Sequence, residues 1–179
     1  MRIISGQWRS RKLSFPDANG LRPTLGRTRE TLFNWLRPHL AGAACLDLFA
    51  GSGALGFEAA SVGAESVTFV DSNRAIVDAL TTNIALLAAD NCHAVHSQAE
   101  QFLRSTTSSY EIIFLDPPYK QPKLLESALE ALSSGGLIGG HIYMEAENNQ
   151  TLLNLCERFD LQVAKSTSAG STFSLLARR

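Results

Sequence analysis

The chain has 179 residues, 45% apolar and 18% charged, which suits one globular domain with a real core and excludes a disordered chain. No apolar run approaches the ~20 residues of a membrane span, and the opening Met1-Arg2-Ile3-Ile4-Ser5-Gly6 lacks the apolar stretch of a signal peptide, so a cytoplasmic location is expected. The net charge of −1 hides a split: residues 1–38 carry eight Lys/Arg against two acids, a net +6, and the remainder eight against fifteen, a net −7.

Arg2–Ile4 and Lys12–Phe15 read as short strands, with breakers at Gly6, Pro16, Gly20 and Pro23. Arg27–Leu40 is predicted helical, with Leu32, Phe33 and Leu36 on one side. A regular alternation then begins. Ala44–Phe49 is an apolar strand, followed by glycines and a helix over Leu55–Ser61. Ser66–Val70 is a second strand, ending at Asp71, and Ala75–Ala88 a helix with Ile76, Leu80, Ile84 and Leu87 at helical spacing. Ala94–His96 is a weak third strand before a helix around Ala99–Arg104. Glu111–Leu115 is a strong fourth strand, Lys123–Leu132 a helix, Leu137–Met144 a fifth strand and Asn149–Phe159 a last helix. Leu161–Ala164 and Thr172–Ala177 close the chain as a hairpin.

This pattern predicts an α/β, Rossmann-like fold. Its sheet is seven-stranded and mostly parallel, covered by helices on both faces, with the closing hairpin adding antiparallel edge strands. Ligands in such sheets bind at the carboxyl ends of the strands. The segments after strands one, two and four are therefore the places to look.

Gly51-Ser52-Gly53-Ala54-Leu55-Gly56 matches G-x-G-x-x-G between a strand and a helix, and Asp71 follows Gly51 by twenty residues. That is also a dinucleotide fingerprint. Asp47, directly before the loop, decides against it. A carboxylate ~4 Å from a pyrophosphate costs about 4 kcal/mol at an effective dielectric near roughly 20. S-adenosylmethionine carries no phosphate, and its sulfonium and ammonium are favoured by an acid. Asp71 suits either cofactor, since a carboxylate there can accept from both ribose hydroxyls.

Asp116-Pro117-Pro118-Tyr119 follows the apolar run Ile112-Ile113-Phe114-Leu115. An exocyclic amino nitrogen on a base is a poor nucleophile, because its lone pair is delocalised into the ring. Acceptors that take both amino hydrogens draw the nitrogen towards tetrahedral geometry and aim the lone pair. Asp116 supplies a carboxylate acceptor and Pro117 a carbonyl. Two prolines fix φ and remove competing N–H donors. Tyr119 offers a face on which a swung-out base can stack. Positioning does most of the work.

The excess of cationic residues in the first 38, with Trp8 and Phe15 interleaved, points to a polyanionic partner for that segment. Cys45, Cys92 and Cys156 are far apart and imply neither a disulfide framework nor a metal site. Cys92-His93-Ala94-Val95-His96 is not read as metal-binding, because residues 93 and 96 of a strand point to opposite faces. His39 and His141 are read as isolated structural residues.

The segments Asp47-Leu48-Phe49-Ala50-Gly51-Ser52-Gly53-Ala54-Leu55-Gly56 and Asp116-Pro117-Pro118-Tyr119 resemble the motifs of class I amino-methyltransferases. Arg2 to Leu13, Leu21-Arg22-Pro23-Thr24 and Arg27 to Leu36 narrow the resemblance to the bacterial 16S rRNA guanine-N2-methyltransferase family, the RsmD type, over essentially the whole chain. The resemblance implies methyl transfer from S-adenosylmethionine to N2 of one guanine in 16S rRNA. It implies a basic extension over 1–40 and a methyltransferase domain over 41–179. Phe49, Ala50, Gly51, Ser52 and Gly53 would wrap the methionine part of the cofactor, Asp71 would hold the ribose, the segment Gln98-Ala99-Glu100 would lie by the adenine, and Asp47, Ser72 and Asp116 would also bind the cofactor. Asp116 to Tyr119 would hold the target amine. Arg9, Arg11, Lys12, Arg22, Thr24 and Arg29 would contact RNA. Two positions depart from the family pattern: Phe49 stands at the first glycine of the widespread loop, and Ser5 stands where a glycine is expected.

The alternatives are methylation of adenine N6 in DNA or of a glutamine side chain, and a non-catalytic RNA-binding module. An extension of about forty residues leaves no room for a sizeable DNA-recognition domain, and the intact loop and Asp116 speak against a module without activity. No metal, no membrane and a monomer are expected. Naked rRNA and an assembled or assembling small subunit both remain open as the substrate.

Overall fold

The computed structural model describes residues 1–15, 26–118 and 123–179. Its elements run α1 (Gly26–Leu40), β1 (Ala44–Asp47), α2 (Ala54–Val62), β2 (Ser66–Asp71), α3 (Arg74–Leu87), β3 (Cys92–His96), α4 (Ala99–Ser105), β4 (Tyr110–Leu115), α5 (Lys123–Ser134), β5 (Ile138–Ala146), α6 (Asn149–Arg158), β6 (Gln162–Ala169) and β7 (Thr172–Arg178). The seven strands form one sheet in the order β3-β2-β1-β4-β5-β7-β6. β1 to β5 are parallel, and β7 lies antiparallel between β5 and β6. The expected seven-stranded Rossmann-like sheet is therefore present, though only one strand of the closing hairpin is an edge.

Alternation along the strands separates two cores. Cys45, Phe69, Ile112, Phe114 and Tyr143 pack with α1, α2 and α3. Leu46, Val70, Ile113, Leu115 and Met144 pack with α4, α5 and α6. The strand order reverses at β1, between β2 and β4, so the loops after β1 and β4 leave side by side.

The basic segment belongs to the first core. Ile3 and Leu13 are buried in it beside Leu32, Leu36 and Phe57. The division expected at residue 40 is thus one of charge and not of packing. The two N-terminal strands are shorter than predicted: a single antiparallel bridge joins Arg2 to Lys12, with Ile3 N–H donating to Arg11 O and Ser10 N–H to Ile3 O. The hairpin is held instead by α2. Glu58, 1% exposed, accepts from Ile4 N at 2.9 Å, Ser5 N at 2.6 Å and Ser5 Oγ at 2.6 Å. Ser61 Oγ donates to Ser5 O, and Gln7 N–H donates to Ser61 O. A Cβ at Gly6 would stand 1.9 Å from Ser61 O, so only glycine lets the turn approach this closely. Ser5, in place of the expected glycine, adds its hydroxyl to this anchorage.

Candidate active site

β1 delivers Asp47 to the foot of the glycine loop, where it is 3% exposed. Its Oδ2 accepts from Gly56 N at 2.9 Å, in the first turn of α2. A dinucleotide's pyrophosphate would need that helix N-terminus, and here a fixed carboxylate already occupies it. Asp47 therefore acts on a ligand through the loop that it shapes. Burial pushes its pKa up from 3.8 to about 7, against the lowering effect of the Gly56 N–H, and the charge of Asp71 adds to the rise.

The loop is fixed from its other side by Asp71 at the end of β2. Asp71 Oδ2 accepts from Gly51 N at 2.9 Å, and Oδ1 from Asn73 N at 2.8 Å. Gly51 and Gly53 have φ of 49° and 68°, in the left-handed region that favours glycine. A Cβ at Gly53 would meet Leu80 and Phe57 at 2.6–2.7 Å, and one at Gly56 would stand 2.2 Å from Phe69 Cε1. Phe49, Gly51 and Ser52 keep partial exposure, while Ala50 is buried, its N–H donating to Val70 O. Ser72 is exposed, with its carbonyl 3.0 Å from His96 Nε2, and Ala99 is half-buried at the start of α4. Two acids clamping the loop give it a negative potential, which suits a cationic ligand and not a phosphate.

Asp47 pairs with Phe114 across β1 and β4, and Leu48 N–H donates to Phe114 O. That register brings Asp116 beside the glycine loop. Asp116 is half-buried, Pro117 buried and Pro118 exposed. Tyr119, Arg22 and Thr24, also read as site residues from the sequence, lie outside the described residues.

Arg9, Arg11 and Lys12 are exposed on the hairpin. Arg29 is not, and its assignment as an RNA contact is corrected. It is 7% exposed, one guanidinium nitrogen donates to Arg2 O at 2.8 Å, and its Nε is 3.9 Å from Glu58 Oε2. It braces the hairpin against α1 and α2. Trp8 and Phe15 likewise lean on the core. Asn34, Arg37 and Arg9 line an open cleft of about 480 Å³ between the hairpin and α1.

The sequence reading missed Glu145. Near the end of β5 it is 6% exposed, and its Oε1 accepts from Tyr143 OH at 2.5 Å. Burial, then the charge of Glu145, push the Tyr143 phenol well above its usual range, with a smaller contribution from Asp116. His39 and His141, far apart in sequence, stack with ring centroids 4.3 Å apart. Burial pushes the Cys45 and Cys92 thiols up to about 12 and Cys156 to about 11, which leaves none of them nucleophilic.

A mostly parallel sheet with this strand order, a glycine loop clamped by two strand-end acids and an acid-proline-proline beside it define a Rossmann-like methyltransferase. Residues 1–176 match the family model described as Conserved hypothetical protein 95. The ribosomal RNA small subunit methyltransferase D of Escherichia coli K12 is 48% identical over 149 residues, covering 82% of this chain and 75% of that protein. The chain belongs to this methyltransferase D family and is an enzyme of that class. A solved structure described as the yhhF methyltransferase of Escherichia coli superposes with a TM-score of 0.91 at 42% identity, over 100% of this chain and 97% of that one. The magnesium protoporphyrin IX methyltransferase of Synechocystis PCC 6803 with bound SAM shares the fold, at a TM-score of 0.69 and 17% identity over 86% of this chain and 78% of that one.

Proposed function

We propose that the protein transfers a methyl group from S-adenosylmethionine to the exocyclic N2 of one guanine in 16S rRNA. The observation that carries this is the register that sets Asp116-Pro117 against a glycine loop whose helix end is filled by Asp47. The loop Phe49 to Gly53 would hold the methionine part, Asp71 and Ser72 the ribose, and Ala99 the adenine. When bound, the cofactor supplies a methyl carbon made electrophilic by its sulfonium. The chain supplies positioning. Asp116 and the Pro117 carbonyl accept the two amino hydrogens and turn the nitrogen lone pair outward. After transfer the nitrogen holds a surplus proton, which Asp116 is placed to receive. The rRNA substrate follows from the relatives' activity, and exposed Arg9, Arg11 and Lys12 supply cations for phosphate contacts. The acceptor is a monomer's partner in the cytoplasm, as free rRNA or within the small subunit.

The test is Asp116→Ala. Turnover should fall by about 10²–10³ or more, while cofactor affinity changes little. Near-normal turnover would remove Asp116 from the mechanism. Nucleoside mass spectrometry of small-subunit rRNA from cells lacking the gene should show N2-methylguanosine missing, and an unchanged profile would overturn the substrate.

A further inference from the structure

β4 and β5 pair in parallel, with Phe114 opposite Tyr143 and Leu115 opposite Met144. Asp116 is the first residue beyond β4, and Glu145 follows Met144 within β5. Pleat alternation puts Glu145 on the face of Tyr143, the face that Phe114 takes in β4. Both of those rings lie in the core beneath α1, 6.5 Å apart and edge to face. Two acids thus stand at the carboxyl ends of neighbouring strands, and the charges of both act on the Tyr143 phenol. Tyr143 OH donates to Glu145 Oε1, which fixes the direction of that carboxylate. Nothing in the assigned chemistry uses it, since Asp116 and Pro117 suffice to hold an amine.

We infer that Glu145 is the residue that makes the site specific for guanine, its carboxylate accepting the N1–H of the target base while Asp116 accepts from N2. This rests on the guanine-N2 function proposed above. The chemistry of the base edges supports it. Guanine presents two adjacent donors, N1–H and the 2-amino group, which match two adjacent acceptors. Adenine presents a 6-amino donor beside N1, a bare acceptor whose lone pair would face a carboxylate. An acid-proline-proline segment alone holds an amine of either base, so a second acceptor beside it is what can separate them. A carboxylate accepts several hydrogen bonds at once, so partners within the fold and the base can share it. A site built to pair a substrate N–H rejects an analogue that lacks it far more strongly than an apolar pocket rejects a changed shape.

The probe is RNA that the wild-type enzyme methylates, prepared with guanine or with 2-aminopurine at the target position. 2-Aminopurine keeps the 2-amino group but has an acceptor at N1. Wild-type enzyme should favour guanine by about 100-fold or more in kcat/KM. In Glu145→Gln, Tyr143 OH can hold the amide oxygen and turn the NH2 towards the base, where it donates to N1 of 2-aminopurine. The preference should then fall to within about tenfold, partly by a gain on 2-aminopurine. A merely structural role would slow both substrates alike and leave the ratio unchanged, which would overturn the assignment. Wild-type enzyme that methylates 2-aminopurine as well as guanine would overturn it without any variant. If wild type forms no N2-methylguanosine on the guanine RNA, the function itself fails and this inference falls with it.

Discussion

Asp47→Asn is a perturbation whose sign can be worked from the structure. The carboxyl is buried and its pKa rises from 3.8 to about 7. At 1.36 kcal/mol per tenfold, its charged form is disfavoured in the fold by about 4 kcal/mol. That net figure already includes the Gly56 N–H bond, which favours the charged form, and asparagine keeps an oxygen for it. The variant should therefore gain up to about 4 kcal/mol at pH 8. At about 2–4 °C per kcal/mol for a chain of this size, Tm should rise by about 8–16 °C. The pH dependence carries the same sign. A group whose folded pKa is raised contributes stability that is fully present below its unfolded value and is lost as pH rises through about 7. The advantage of the variant should therefore shrink as pH falls from 8 to 5, where wild-type Asp47 is protonated. Thermal unfolding of both proteins across that range is the assay. A variant less stable than wild type at pH 8, or an advantage that does not narrow at low pH, would refute the reasoning. Titration of labelled S-adenosylmethionine on the same samples should show weaker binding, the stability having been gained at the cofactor's expense.

Replacing Arg9, Arg11 and Lys12 together by alanine should weaken RNA binding and flatten log K against log salt by about 0.7–0.9 per lost phosphate contact, read by filter binding at several salt concentrations. Gly56→Ala should cost about 1–3 kcal/mol in denaturant unfolding, because its Cβ would stand 2.2 Å from the Phe69 ring. Glu58→Ala should cost about 3–5 kcal/mol, since Arg29 would be left buried beside unpaired Ile4 and Ser5 amides. Limited proteolysis of that variant should cut first within residues 1–15.

The sheet and helices were legible because their apolar periodicity is strong: Glu111–Leu115 and Ala75–Ala88 were placed within a residue of β4 and α3. β6 was legible only in part. Gln162–Ala169 is mostly exposed and polar, so nothing in its composition marks Lys165 to Ala169 as strand, and pairing with β7 alone extends it. Asp47 and Asp116 were found because they stand beside glycine and proline signals. The direction of the Asp47 carboxylate was not, since spacing does not say whether a strand-end acid faces a ligand or a backbone amide. Arg29 misled because charge counting treats every arginine as surface. Its partner Glu58 is the one charged residue of α2, which is the signal that this buried ion pair leaves in the sequence. Glu145 lies in a strand with no motif around it and becomes visible only once β5 is seen beside β4, whose carboxyl end leads into Asp116.

The anchorage of the hairpin also bears on the order in which the chain can fold. Ile4 and Ser5 reach their acceptor across 54 and 53 residues of sequence, and Ser14 O takes its hydrogen bond from Asn83 across 69. Contacts of such separation form only after the intervening loop has closed. On a translating ribosome, the segment that carries exposed Arg9, Arg11 and Lys12 is made before α2 and α3 and has no surface to settle on until both exist. The part synthesised first is thus among the last to lock, and the buried Glu58 carboxylate is stabilised only at that late step.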